Sequence, residues 1–217
     1  AVSGSNRVMH SPDGLSWTAA SATEANDWQS VTYADNKFVV VASSGTKRVM
    51  YSPDGLTWTA ASAAEANVWS SVTYGNGKFV AVSSNGTNRV MYSDDDGLTW
   101  KNDNVTGVEA NPWYSVTYGN GKFVAVSNNG TNRVMYSDDD GLTWKITSAA
   151  SSSSYFSVTY GNGKFVAVGN RVMHSTDGIA WTSASAAENN GWKSVAYGNG
   201  KFVAVTDIGT NRVMYSD

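Results

Sequence analysis

The string Arg-Val-Met-Tyr/His-Ser recurs six times in this chain, starting at Arg7, Arg48, Arg89, Arg133, Arg171 and Arg212. The intervals are 41, 41, 44, 38 and 41 residues. Three other strings keep the same beat. Ser-Val-Thr/Ala-Tyr starts at Ser30, Ser71, Ser115, Ser157 and Ser194, and Lys-Phe-Val starts at Lys37, Lys78, Lys122, Lys164 and Lys201. A box running from Ser through Asp-Gly to Trp occupies residues 11–17, 52–58, 93–100, 137–144 and 175–181. A period of this length means one supersecondary unit per repeat. A lone unit cannot bury its apolar face, so the core must form by stacking neighbours.

Within a repeat the apolar residues alternate over short runs and show no helical period. The repeat that starts at Ser71 reads as four strands. Strand A is 71–74 and strand B is 78–82, joined by Gly75-Asn76-Gly77, where Asn-Gly suits a tight hairpin turn. Strand C is 89–93. The Asp-containing box then leads into strand D, Leu98-Thr99-Trp100. Strand B is apolar on both faces, as a sheet sandwiched between two others requires. Four strands in about 40 residues is the pattern of a β-propeller blade. The fold class is therefore all-β: a five-bladed β-propeller of four-stranded antiparallel blades, one domain over residues 1–217.

The boxes at 93–100 and 137–144 resemble the Asp-box, or BNR repeat, of sialidase-like propellers, Ser-x-Asp-x-Gly-x-Thr-Trp. The other three copies are one residue shorter, and the last carries Ala180 where Ser or Thr is expected. The resemblance implies a structural set of Asp13, Trp17, Asp54, Trp58, Asp96, Trp100, Asp140, Trp144, Asp177 and Trp181. Each Asp staples its hairpin through turn amides while the Trp packs inward. In that family the box lies on the face away from the ligand. Asp-boxes occur in glycosidases, lectins, receptors and assembly factors alike, so the resemblance speaks for architecture.

The chain holds six copies of strand C for five of A, B and D. A ring closed by pairing N- and C-terminal strands therefore has two C strands for one slot. The N-terminal copy, 7–11, owns a complete box and is the expected occupant. The C-terminal copy, 212–216, runs into a truncated box at Asp217. The losing copy is left to lie on an edge or to exchange with another molecule, and the chain is otherwise expected to be a monomer.

Composition removes several function classes. Cysteine is absent, which excludes disulfides and cysteine-ligated metal. Fifteen Lys and Arg against eighteen Asp and Glu give a net charge of −3, not the basic footprint of a nucleic-acid binder. No apolar run is long enough to span a membrane, and no secretion-signal pattern opens the chain; a signal, if there was one, is already removed. His10 and His174 replace the Tyr of positions 51, 92, 136 and 215, which makes them packing positions and not ligands or bases. The Asp triplets 94–96 and 138–140 lack the longer ligand series of a calcium loop. No metal, no cofactor and no catalytic residue is expected. All six Arg sit one per repeat in strand C, so the converging arginines of a sialidase are missing. The four Glu are also spread one per repeat, against the closely spaced carboxylate pair that glycoside hydrolysis needs.

One pattern has the look of a site. Before strand A, four repeats read Glu-x-Asn-x-Trp: Glu24/Asn26/Trp28, Glu65/Asn67/Trp69, Glu109/Asn111/Trp113 and Glu188/Asn190/Trp192. The remaining repeat has Ser151, Ser153 and Tyr155, and the same repeat has a shortened loop between strands B and C. Hairpin parity puts both elements on the face opposite the boxes. One reading is a ligand site per blade, which adds Arg48, Arg89, Arg133 and Arg212. The other is that a Glu–Arg pair and loop packing hold the rim. An exposed Trp with Asn, Glu and Arg around it suits a sugar, and repeated weak sites gain by multivalency. Five-bladed lectins of the tachylectin-2 type are similar in architecture. The expected function is thus a multivalent, non-catalytic, glycan-binding propeller, placed outside the cell or at its surface by family resemblance. The alternative is a structural or protein-docking propeller with no small-molecule ligand, either part of a longer repeat protein or an engineered ring. A glycosidase ranks behind both.

Overall fold

The computed structural model describes residues 7–216. The six residues before Arg7, and Asp217 with its truncated box, lie outside the described residues. Among the described residues there are twenty strands and no helix. The chain forms two compact bodies, Ala1–Asp103 and Asn104–Asp217.

The first body begins with β1 (Arg7–His10) paired to β2 (Thr18–Ser21). A four-stranded sheet follows, β3 (Trp28–Ala34), β4 (Lys37–Ala42), β5 (Val49–Ser52) and β6 (Thr59–Ala61). A three-stranded sheet closes the body: β7 (Trp69–Gly75), β8 (Lys78–Ser83) and β9 (Val90–Ser93), with an isolated bridge from Tyr92 to Lys101. The second body has two four-stranded sheets. One is β10 (Trp113–Gly119), β11 (Lys122–Ser127), β12 (Val134–Ser137) and β13 (Lys145–Thr147). The other is β14 (Tyr155–Gly161), β15 (Lys164–Gly169), β16 (Val172–Ser175) and β17 (Thr182–Ala184). It ends with β18 (Ser194–Gly198), β19 (Lys201–Val205) and β20 (Val213–Ser216). All neighbours are antiparallel and consecutive, so each sheet is a meander.

The local reasons match the sequence. The A–B hairpins turn through Asn76-Gly77, Asn120-Gly121, Asn162-Gly163 and Asn199-Gly200, every one of these residues at positive φ. That is the backbone a tight hairpin turn needs. The B strands β4, β8 and β11 are buried on both faces, with Val80, Ala81 and Val82 inaccessible, whereas β19 leaves Val203 and Val205 exposed. Neighbouring sheets stack face to face. Val39, Val41 and Val49 of one sheet pack on Trp69, Val72, Phe79 and Met91 of the next. Val124, Val126 and Val134 meet Tyr155, Val158, Phe165 and Met173 in the same way. Burying a Val or Phe side chain contributes on the order of 1.5–3 kcal/mol, and the contact recurs along each body.

Two expectations need correction. Strand D was placed at Leu98-Thr99-Trp100, but the outer strands start after the box Trp, at Thr59, Lys145 and Thr182. Bonds inside the box take donors a ladder would need: the amides of Leu56 and Thr57 go to Asp54, and that of Thr99 to Asp95. The N-terminal copy of strand C was the favoured occupant of the contested slot. The C-terminal copy fills it: β20 pairs with β19 in the register Phe202↔Ser216 to Val205↔Val213, and β1 pairs with β2. The physical reason is proximity. A short loop brings β20 to β19, whereas joining chain ends closes a far longer loop at greater entropy cost.

Candidate functional site

The boxes form stapled hairpins. In the short copies one Asp oxygen accepts two successive turn amides: for Asp54, those of Leu56 at 2.8 Å and Thr57 at 2.9 Å, while the Ser52 hydroxyl donates to it at 2.9 Å. Asp13 and Asp177 do the same. Trp58 Nε1 donates to the Gly55 carbonyl at 3.2 Å. In the long copies the stapling residue is Asp95 or Asp139, two residues after the Ser, and not the expected Asp96 or Asp140. Asp95 accepts from Ser93 Oγ and from Thr99 N, and Asp139 from Ser137 Oγ and Thr143 N. The staple keeps the Ser-x-Asp spacing, and the inserted residue takes the left-handed turn (φ 60° at Asp96, 63° at Asp140). The inward Trp holds for Trp100 and Trp144; Trp58 and Trp181 are half-buried, and Trp17 is 51% exposed. In the Asp triplets, Asp94 and Asp138 pair with Lys101 and Lys145. Among the described residues no acidic or histidine cluster could hold a metal ion.

On the opposite face the structure brings the Glu-x-Asn-x-Trp loop and the B–C loop together, but as an internal brace. Trp69, Trp113 and Trp192 are inaccessible and Trp28 nearly so. Each donates its Nε1 to the backbone carbonyl of its own Glu, at 3.0–3.3 Å. The Trp face that stacking on a pyranose requires is therefore not presented. Asn26, Asn67 and Asn111 are buried and donate to the carbonyls of Lys47, Asn88 and Asn132, and the more accessible Asn190 donates to that of Asn211. Glu65 accepts from Asn67, Asn102 and both the amide and the side chain of Asn88. Burial pushes the Glu65 carboxyl up, but these donors outweigh it and hold it below its ordinary range. Glu24 is lowered first by the Lys47 amide. Glu109 takes the side chains of Asn111 and Asn132, and Glu188 those of Asn190 and Asn211. No Glu–Arg ion pair is present among the described residues, so that form of the rim reading is also corrected. Arg48, Arg89, Arg133 and Arg212 fold back on their own loops, each Nε donating to the carbonyl of the loop glycine.

The brace explains the glycine of the B–C loop. Gly86 has φ 91°, and a Cβ there would stand 1.9 Å from Asn67 Oδ1. In the repeat with the short loop, Tyr155 takes the Trp position and its hydroxyl meets Ser151 Oγ at 3.0 Å. Ser154 O accepts from Asn170 N, and Ser154 Oγ donates to Asn128 O. The two elements differ together in this repeat, and in the others each supplies the other's hydrogen bonds.

A different set of residues is left for contact with a partner. In four repeats strand A has a bulge directly after its first aromatic residue, with register shifts at 28/30, 69/71, 113/115 and 155/157. The bulge lets Ser115 Oγ accept from Val158 N, and Ser157 Oγ from Val195 N, tying strands A of successive sheets. The bulged residue, or its counterpart Lys193, differs in every repeat: Gln29, Ser70, Tyr114, Phe156 and Lys193. In the second body three of these meet. Tyr114 and Phe156 pack edge to face with centroids 5.9 Å apart, and Lys193 Nζ lies 4.6 Å from the Phe156 centroid. Tyr114 also borders a groove of about 630 Å³ walled by Pro112, Asn129, Arg133, Asn170 and the serines 152–154. Asn128, in that wall, carries the one buried side-chain polar atom among the described residues without a hydrogen-bond partner, its Oδ1. Sequence reasoning passed over these residues because it searched for what repeats. The signal was the reverse, one position that varies in otherwise near-identical repeats.

No family model and no curated protein matches the sequence. Solved structures do resemble the fold. YCF48 bound to D1 peptide superposes with a TM-score of 0.63 at 14% identity, over 88% of this chain and 65% of that one. YCF48 from Cyanidioschyzon merolae gives 0.61 at 14% identity, over 90% and 72%. A nidogen/laminin complex gives 0.62 at 10% identity, over 87% and 75%. These neighbours are β-propeller proteins, and the fold is propeller-like. The chain spans about two thirds of the length of the first of them. At such identities the likeness concerns the fold alone.

Proposed function

We propose that the protein is a non-catalytic docking propeller that takes an extended peptide segment of a protein partner on its loop face, in the second body. The observation that carries this reading is the meeting of Tyr114, Phe156 and Lys193 beside a polar groove. Aromatic rings next to amide and hydroxyl side chains suit a peptide. The rings cover an apolar side chain, and Asn129, Asn170 and the serines offer donors and acceptors to its backbone. Lys193 and Arg133 favour a segment with an acidic residue. Supporting it from outside, one neighbour is a YCF48 bound to a peptide and another belongs to a protein–protein complex. The glycan reading loses its main support because the four Trp faces are buried.

The test is selection from a displayed library of random peptides, followed by titration of enriched peptides against wild type, Tyr114→Ala and Phe156→Ala. Enriched peptides should bind saturably and lose about tenfold or more with either variant, as truncating an aromatic anchor does. Failure to enrich, or binding unchanged in both variants, overturns the proposal.

A further inference from the structure

On the loop face, the sheets β10–β13 and β14–β17 meet differently from β3–β6 and β7–β9 in the first body. In the first body Arg48 Nη1 donates to Ser43 O at 3.1 Å and to Asn67 O of the next repeat at 2.6 Å. In the second body the counterpart of Ser43 is Asn128, and its carbonyl accepts from Ser154 Oγ at 2.8 Å instead. Arg133 keeps a single bond, from Nε to Gly130 O, so its terminal guanidinium nitrogens have no hydrogen-bond partner among the described residues. They stand in the wall of the groove beside Tyr114.

The short B–C loop belongs to the same place. Phe165 and Arg171 are six residues apart, where Phe123 and Arg133 are ten apart. A long loop reaches over its neighbours, as Asn132 does to Glu109. The short loop turns at Gly169–Arg171 and is held by backbone bonds: Asn170 N donates to Ser154 O, and Gly169 O accepts from Trp192 N, both at 3.0 Å. It sits close against its neighbour, since a Cβ at Gly169 would stand 1.9 Å from Ser154 O. A groove lies on each side of it. The first is the one beside Tyr114. The second, of about 460 Å³, is walled by Ser151, Arg171, Ser183, Ser185, Glu188 and Asn189. Asn170 borders both.

We infer, resting on the peptide-docking reading above, that the bound segment does not end in the first groove. It crosses the short loop at Asn170 and continues through the second groove to Ser183 and Ser185. The part of the segment past the aromatic anchors is extended and polar, and its main chain is what the path holds. Serine hydroxyls and the amides of Asn170 and Asn189 both donate and accept, and the free nitrogens of Arg133 offer donors to carbonyls where the crossing begins. Because the loop is already fixed by its own backbone bonds, binding there has to order the segment alone, which lowers the entropy cost. The other four repeats carry the long loop, so the chain has one such crossing.

The test uses peptides enriched from a random library on the full wild-type chain, and two variants that close the crossing. One inserts Asn-Asn-Gly-Thr between Gly169 and Asn170, which restores the loop length of the other repeats. The other is Ser185→Trp, a change at an exposed position that fills the second groove. Enriched peptides should bind each variant about tenfold or more weakly than wild type. Trimmed stepwise from one end, they should reach a shorter peptide that binds wild type about tenfold more weakly, still depends on Tyr114, and binds wild type and both variants equally. That equality also shows that the variants are folded. Full-length peptides that bind Ser185→Trp as they bind wild type, or that keep their affinity when trimmed to the Tyr114-dependent residues, overturn the inference and leave the docking reading standing. No enrichment, or binding that ignores both Tyr114→Ala and Phe156→Ala, overturns the two together.

Discussion

The boxes and the braces turn on single polar atoms, so single substitutions separate their roles. Asp95→Ala removes an acceptor of the Ser93 hydroxyl and the Thr99 amide. It should cost about 1–2 kcal/mol in urea unfolding, as hydrogen bonds to a charged group do. Asp96→Ala should cost less, since Asp96 makes a half-exposed pair with Lys37 and a hydrogen bond with the exposed Asp35, contacts of a kind worth little. A second pair isolates the brace. Gly77 and Gly86 both have positive φ, but only at Gly86 does a Cβ collide with Asn67. Gly86→Ala should therefore destabilise clearly more than Gly77→Ala, whose cost of about 1 kcal/mol is the backbone strain alone. Glu65→Gln is the third. It sets an amide against the donors of Asn67, Asn88 and Asn102 and should cost about 1–3 kcal/mol; unchanged stability would return Glu65 to the list of ligand residues. The box motif was legible in the sequence, and its Ser-x-Asp spacing points to Asp95 and Asp139. That the extra residue is absorbed as a left-handed turn at Asp96 and Asp140 was decided by the backbone.

At the level of elements, the B strands were the most legible because their continuous apolar runs admit one environment. Val39–Ala42, Phe79–Val82 and Phe123–Val126 are inaccessible on both faces. Their amides should exchange slowest in native-state hydrogen exchange, and those of β2 and β20 fastest, since local opening follows contact density. Equal protection across the strands would contradict this ranking. The outer strands start a few residues later than the spacing suggests because turn bonds inside the box, such as those of the Leu56 and Thr57 amides to Asp54, take donors that a ladder would need. The contested C strand was misassigned for a similar reason. The sequence contains two equal copies, and nothing within either copy states which neighbour is nearer.

For the whole molecule, charge decides the response to acid. Asp13, Asp54, Asp95, Asp139 and Asp177 all lie below the ordinary carboxylate value. Turn amides are the first cause at Asp13, Asp54 and Asp177, and at Asp95 and Asp139 hydrogen bonds outweigh the effect of burial. Glu24, Glu65 and Glu188 are lowered as well. Depressed folded-state values mean that the ionised form stabilises the fold. The contribution is whole above the ordinary carboxylate pKa near about 4, and it is lost as pH falls through the depressed values. Asp35 works in the other direction, raised by its hydrogen bond to Asp96 and by the charge of that residue, but it is one group against these eight and against Asp94, Asp96 and Asp138, which are lowered too. The urea midpoint should hold steady from neutral pH to about 5 and fall steeply below about 4. A midpoint that rises on acidification would contradict the staple and brace assignments together.

By itself the sequence determined the all-β class, the repeat, the four-strand order and the hairpin turns. Each of these is set by residues adjacent in the chain: alternation, Asn-Gly at positive φ, an Asp two residues after its Ser. The tertiary structure alone decided what the conserved-looking Glu, Asn and Trp are for. Hydrogen bonds between loops more than twenty residues apart consume them, and burial hides the rings that a ligand would need. It also decided that Tyr114, Phe156 and Lys193 share one place, because the bulges align successive strands at a spacing that no single repeat contains.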